Sequence, residues 1–277
     1  MKFLSKILLL TGFLLTLSSC GPDVLTRNRA PLNIGRDHGF TEKLMKGGDF
    51  WITTYQHITN KNAPYVFYIE GDGHSFTKYR APTDNPTPMQ QIVMNLAVLD
   101  GRPNIVYVAR PCQYTPMHLN PKCNSSYWTG KGMSEEVVSS LNEVINTINN
   151  DRPFSLIGYS GGGGIAVLIA ARNKNVKDII TVAGNLDHIS FNKHHGTTPM
   201  LGSLNPIDYA TKIRNIPQLH VSGGNDKKVP PFIADKYITI SNSICVHQEI
   251  IKNAEHDVGW NKNWEYILTI PLSCYKN

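Results

Sequence analysis

The sequence predicts an α/β domain with a mostly parallel central sheet flanked by helices. Three observations support this. Between about residues 50 and 270, short runs rich in β-branched and aromatic residues alternate with longer stretches of helical periodicity, the pattern of repeated strand–helix–strand units. One such run, residues 154–157, passes through Gly158-Tyr159-Ser160-Gly161-Gly162 into the apolar stretch 165–171, so a glycine-rich turn joins a strand to a helix. The 277 residues can bury one large core, which suits one α/β domain better than two small ones.

The chain opens with Lys2 and Lys6, followed by an apolar stretch over residues 7–17 broken only by Thr11, Gly12 and Thr16. This is shorter than the roughly 20 residues that cross a bilayer, and small residues follow it, as in a secretory signal peptide covering residues 1–19. Leu17-Ser18-Ser19-Cys20 resembles a bacterial lipobox. That resemblance implies an acyl lipid such as palmitate on Cys20 and a membrane-anchored protein of the cell envelope. Gly21 after the cysteine leans toward the outer membrane, with the protein facing the periplasm. The competing reading is an ordinary signal peptide with an incidental cysteine. Residues 20–37 are polar and contain proline, and are expected to form a tether before a domain at residues 38–277.

Strands are expected at residues 50–57, 65–70, 105–109, 154–158, 179–183, 218–222 and 246–251. Each is a short run such as Tyr65-Val66-Phe67-Tyr68-Ile69 or Leu219-His220-Val221-Ser222, with side chains suited to a pleated, buried surface. Helices are expected at 88–99, 134–148, 163–171, 206–213, 231–240 and 264–270. The second of these shows its reasons most clearly. Ser134 can cap backbone N–H groups, Glu135 and Glu136 suit the positive first turn, and Val137, Leu141, Val144, Ile145 and Ile148 recur on one face. There is no internal repeat.

Ser160 occupies the centre of a G-x-S-x-G turn, where a sharp strand-to-helix reversal pushes the hydroxyl outward and leaves the flanking residues no room for a Cβ. A phosphate loop is the competing reading of a glycine-rich turn, but Gly161-Gly162-Gly163-Gly164 is not followed by Lys-Ser/Thr. A serine hydroxyl needs a base, and the base needs an orienting acid. His256, in Asn253-Ala254-Glu255-His256-Asp257-Val258-Gly259-Trp260, follows the last strand at the carboxyl edge of the sheet. Asp226, in Gly223-Gly224-Asn225-Asp226, follows the preceding strand, although these residues also make an ordinary turn. Asp187, in Gly184-Asn185-Leu186-Asp187-His188, is the second choice of acid. An oxyanion would be received by the backbone N–H of Gly161 and by that of Asp72 in Glu70-Gly71-Asp72-Gly73-His74-Ser75, with Gly73 as the neighbouring possibility. His188, His194 and His195 are read as pocket-wall or surface residues. Residues 185–205 are too short for a large lid, which implies an open, modest pocket for small or accessible esters.

The order Ser160, Asp226, His256 is that of the α/β-hydrolase superfamily. Tyr68-Ile69-Glu70-Gly71-Asp72-Gly73, Ala109-Arg110-Pro111-Cys112-Gln113-Tyr114, Tyr127-Trp128-Thr129, Gly158-Tyr159-Ser160-Gly161-Gly162-Gly163 and Ala183-Gly184-Asn185-Leu186-Asp187-His188 together resemble a group of exported bacterial α/β-hydrolases over roughly residues 37–264. The resemblance implies the α/β-hydrolase fold without a large lid. It also strengthens the reading of a serine hydrolase that forms an acyl-enzyme on Ser160, but it adds little about specificity; a small-molecule or envelope-derived carboxylic ester is the expected substrate, and no cofactor is expected. A peptidase or amidase on the same triad is the next reading. A non-catalytic binding lipoprotein is the alternative of a different class, and it predicts decay of one triad position, whereas all three are present. Where that group often has an arginine after Trp-Thr, this chain has Gly130-Lys131-Gly132.

Lysine and arginine number 27 against 21 acidic residues, a net charge of +6 that falls to about +4 once Lys2 and Lys6 leave with the signal. The cations are scattered without an arginine-rich run, so no nucleic-acid partner is expected. Setting Cys20 aside leaves four of the five cysteines, an even number suited to an oxidising compartment. Cys112 with Cys123 and Cys245 with Cys274 are the favoured pairs, though four cysteines allow three connectivities. No C-x-x-C or H-x-x-x-H spacing supports zinc, and no metal is expected.

Overall fold

The computed structural model describes residues 24–274; the signal-peptide segment and Cys20 lie outside the described residues. One sheet holds eight strands: β1 (Thr41–Gly47), β2 (Phe50–Ile58), β3 (Tyr65–Ile69), β4 (Asn104–Val108), β5 (Phe154–Tyr159), β6 (Val176–Val182), β7 (Gln218–Gly223) and β8 (Val246–Ile251). Their spatial order is β1-β2-β4-β3-β5-β6-β7-β8. β1 with β2 and β2 with β4 pair antiparallel; the remaining neighbours are parallel. The helices are α1 (Val24–Arg36), α2 (Ile92–Val98), α3 (Glu135–Asn149), α4 (Gly161–Ala170), α5 (His188–His195), α6 (Phe232–Ser241) and α7 (Trp264–Thr269).

Strand alternation divides the core into two layers. In β3 and β4, Phe67, Ile69, Val106 and Val108 face the α3, α4 and α6 side, while Val66, Tyr68, Ile105 and Tyr107 face the α2 and α7 side with Trp260 and Trp264. Strands buried on both faces read as continuous apolar runs, which is why the parallel strands are visible in the sequence. In α3 the Ser134 hydroxyl accepts from the N–H of Val137, and Val137, Leu141, Val144 and Ile145 are fully buried. Each contributes about 1.5–3 kcal/mol on leaving water.

Four elements depart from the sequence expectation. β1 was not anticipated, because Thr41-Glu42-Lys43-Leu44-Met45-Lys46-Gly47 lies at the exposed antiparallel edge and carries no apolar alternation. It is recruited by the tight connection to β2, in which Gly47 pairs with Phe50. The stretch expected to be a tether is helical from Val24, with Arg27 buried and its Nη1 donating to the Thr87 carbonyl at 2.9 Å. α5 lies within residues 185–205, where no helix is expected, while the helix expected at 206–213 is only a 3-10 turn, Pro206–Tyr209.

Both favoured cystine pairs are present, Cys112–Cys123 and Cys245–Cys274. The second closes 29 residues and pins the chain after α7 to the start of β8. Replacing Cys245 and Cys274 together with alanine is expected to lower unfolding stability by about 3 kcal/mol, measured by urea denaturation, with the native fold retained.

Candidate active site

Ser160 stands between β5 and α4 with φ 51° and ψ −120°, a conformation held by the surrounding backbone. Its N–H donates to Val182 O at 2.9 Å, and its own carbonyl accepts from Gly163 at 3.0 Å and Asn185 at 2.9 Å. Two glycines permit the turn. A Cβ on Gly158 would lie 2.2 Å from the Gly162 carbonyl oxygen, and one on Gly162 would lie 2.4 Å from that of Ile69.

The structure brings Ser160, His256 and Asp226 into one hydrogen-bonded line. His256 Nε2 lies 3.1 Å from Ser160 Oγ, and Nδ1 lies 2.8 Å from Asp226 Oδ2. With Nδ1–H donating to the carboxylate, Nε2 presents its lone pair to the hydroxyl. Asp226 is buried, and its Oδ1 accepts the N–H groups of Lys228 and Val229, each at 2.8 Å. The His256 carbonyl accepts from Trp260 Nε1 at 2.7 Å and Tyr159 OH at 3.0 Å, so its loop is fixed from below as well. Such a line can take a proton from the hydroxyl and hold the resulting imidazolium.

Gly161, the residue after the serine, meets Asp72 of the loop after β3. A feature not anticipated from the sequence is the position of the Asp72 side chain. Its carboxylate packs on Gly161 so closely that a Cβ there would lie 2.2 Å from Oδ1. Arg110, buried behind it, donates from Nη1 to Asp72 Oδ1 at 3.2 Å and from Nη2 to the Gly132 carbonyl. Burial pulls the Arg110 pKa down, and Asp72 opposes that. Gln113 Nε2 donates to Gly71 O at 2.9 Å, tying the loop to the turn that contains Cys112. Beneath it Glu70 is fully buried. Burial pushes its carboxyl up to about 7, against hydrogen bonds from Tyr107 OH at 2.7 Å and the Gly71 N–H at 2.9 Å. Glu70, Arg110 and Gln113 stand in motifs of the resemblance, but no local signal assigned them a role.

Asp187 does not reach the relay. It caps α5 and accepts from Lys236 Nζ at 2.6 Å, Asn205 Nδ2 at 3.0 Å and the Ser190 N–H at 3.2 Å. Burial would raise its pKa, but these partners hold it well below the usual carboxylate range. His188 is buried, His194 packs on Phe232, and His195 lines the cleft with Nε2 donating to Lys228 O at 2.7 Å. Among the described residues no cluster of His, Cys, Asp and Glu is arranged to hold a metal ion.

Ser160 opens into a cleft of about 1100 Å³, larger than the modest pocket expected, with Phe76, Met89, Trp128, Phe191 and Met200 among its walls. The fold is that of the α/β hydrolases. Solved structures similar to this one include a Pyrococcus furiosus esterase, with 12% identity, TM-score 0.59, and coverage of 84% of this chain and 90% of the esterase. A membrane phospholipase A shares 14% identity at TM-score 0.57, over 88% of this chain and 91% of its own. The Pyrococcus horikoshii acylaminoacyl peptidase shares 13% identity at TM-score 0.60; 83% of this chain is covered, but it spans only 41% of the peptidase. No protein-family model and no curated protein sequence matches this chain.

Glu70 gives a pH test of this site. Its folded pKa of about 7 exceeds the ordinary 4.5, so the folded state holds a proton that the unfolded chain has released. Stability is therefore lost as pH rises from about 4.5 to about 7 and is level above that. Glu70→Gln keeps an acceptor for Gly71, and thermal unfolding at pH 5 and pH 8 is expected to show a smaller pH difference than in the parent.

Proposed function

We propose that this protein is a serine hydrolase that cleaves a carboxylic ester through an acyl-Ser160 intermediate, anchored in the cell envelope by a lipid on Cys20. The observation that carries the reading is the continuous line from Ser160 Oγ through His256 to the buried carboxylate of Asp226, opening into the cleft. His256 takes the hydroxyl proton as Oγ attacks the ester carbonyl carbon. The carbonyl oxygen, now anionic, is received by the N–H groups of Gly161 and Asp72. Collapse expels the alcohol, which takes the proton from His256, and water then hydrolyses the acyl-serine by the same route in reverse. The ester reading is supported by the length of the correspondence: the chain covers 90% of the esterase but 41% of the peptidase.

In this reading the Asp72 carboxylate is a hazard, because it stands beside the place where negative charge develops, and Arg110 cancels it. A fluorophosphonate probe is expected to label Ser160 stoichiometrically, located by mass spectrometry. Ser160→Ala should abolish both labelling and ester hydrolysis while leaving thermal unfolding unchanged; hydrolysis that persists in this variant overturns the mechanism. Arg110→Met is expected to slow labelling roughly tenfold to a hundredfold by leaving Asp72 uncompensated. Adding Asp72→Asn to that variant should restore most of the rate, an outcome that loss of packing alone does not give.

A further inference from the structure

We infer that the rim of the cleft is a docking surface for an anionic lipid bilayer and that the ester enters from that bilayer; the second part rests on the proposed hydrolase reading. Large apolar side chains on segments that line the cleft stand in water. Tyr79 is 80% exposed and Leu201 is 92% exposed, while Phe76 and Met89 are exposed and line the cleft itself. Tyr79 lies on the segment between β3 and α2, and Leu201 follows the cleft-lining Met200. Lys131 packs on Gly202, whose Cβ would lie 2.6 Å from Lys131 Cγ, which places this cation beside Leu201.

The charges around these side chains suit one partner. Lys78 holds its ammonium 5.0 Å above the Tyr79 ring, Arg80 lines the cleft, and exposed Lys131 adds a third cation, its ammonium 5.7 Å from the Tyr127 ring; the acids of the segment are Glu70, which is buried, Asp72, which is paired with Arg110, and Asp84. Exposed aromatic and aliphatic tips interleaved with long basic side chains match the boundary between acyl chains and anionic headgroups.

A separate observation puts the proposed Cys20 anchor at this end of the molecule. The first turn of α1 lies against the same segment: Arg27 donates to Thr87 O at 2.9 Å, and its charge depresses the pKa of cleft-lining His74, after burial. Cys20 stands only four residues before Val24. Even fully extended, that link spans about 14 Å. A lipid on Cys20 thus holds the mouth of the cleft close to the membrane instead of leaving it free to face the aqueous phase.

The test uses the full chain, produced with its own N-terminus and reconstituted in vesicles of phosphatidylethanolamine and phosphatidylglycerol that carry bromine-labelled acyl chains. In Tyr79→Trp, the fluorescence added over the parent is expected to fall by half or more. In Ile240→Trp, on the last turn of α6 away from the cleft, it is expected to stay unquenched. Equal quenching at both positions, or at neither, overturns the docking assignment whatever the ester assays give. In Tyr79→Ser/Leu201→Ser, hydrolysis of a vesicle-embedded fluorogenic acyl ester is expected to fall about tenfold, with a short water-soluble ester cleaved as before. Parallel changes on both esters overturn delivery from the bilayer. Quenching at Tyr79→Trp without turnover of either ester by the parent upholds docking and overturns the proposed hydrolase activity.

Discussion

The site depends first on how closely three backbones approach at the turn between β5 and α4. Gly158 touches the Gly162 carbonyl, and Gly162 touches the end of β3 at Ile69 and Glu70. A single methyl group at either glycine would force α4 off the sheet. The Ser160 conformation costs on the order of 1–3 kcal/mol, and its hydrogen bonds to Val182, Gly163 and Asn185 offset it. The same contact sets the loop after β3 beside the serine, because Glu70 begins that loop.

Support for the site then spreads outward in two directions. On one side, β7 and β8 end next to each other, and backbone bonds from Gly224 to Ile251 and from Asn225 to Ala254 clip their loops together. Asp226 and His256 thereby meet without either loop being long. On the other side, the loop after β3 is held by side chains of the turn after β4: Gln113 on the Gly71 carbonyl and Arg110 on the Asp72 carboxylate. The line of Ser160, His256 and Asp226 is thus assembled mostly by backbone geometry, whereas the proposed oxyanion site leans on buried polar side chains. Buried polar groups of this kind tolerate substitution poorly.

The parallel strands were legible because burial on both faces leaves an uninterrupted apolar run, as in Tyr65-Val66-Phe67-Tyr68-Ile69. The alignment of Ser160, Asp226 and His256 was legible because each follows a strand in a sheet whose loops share one edge. β1 was not, since an exposed strand with Glu42, Lys43 and Lys46 has no burial to imprint a pattern. α1 was hidden by Pro31 and by scattered arginines; it docks through buried Arg27 and Pro31 with Leu32 and Ile34 against the core, and the partner of Arg27 is sixty residues away. The Asp72–Arg110 pair joins residues 38 apart, and nothing local in either motif marks the contact.

The polar character of β1 also bears on how the molecule behaves in a crowd. An open sheet ends in a row of unpaired N–H and C=O groups, a template on which another chain can add a strand. Here that terminal strand is short, largely solvent-facing, and studded with charges of both signs. A second copy approaching edge to edge would have to strip water from Glu42, Lys43 and Lys46 before any ladder could form. The feature that made β1 invisible to periodicity therefore also keeps this edge of the sheet from growing.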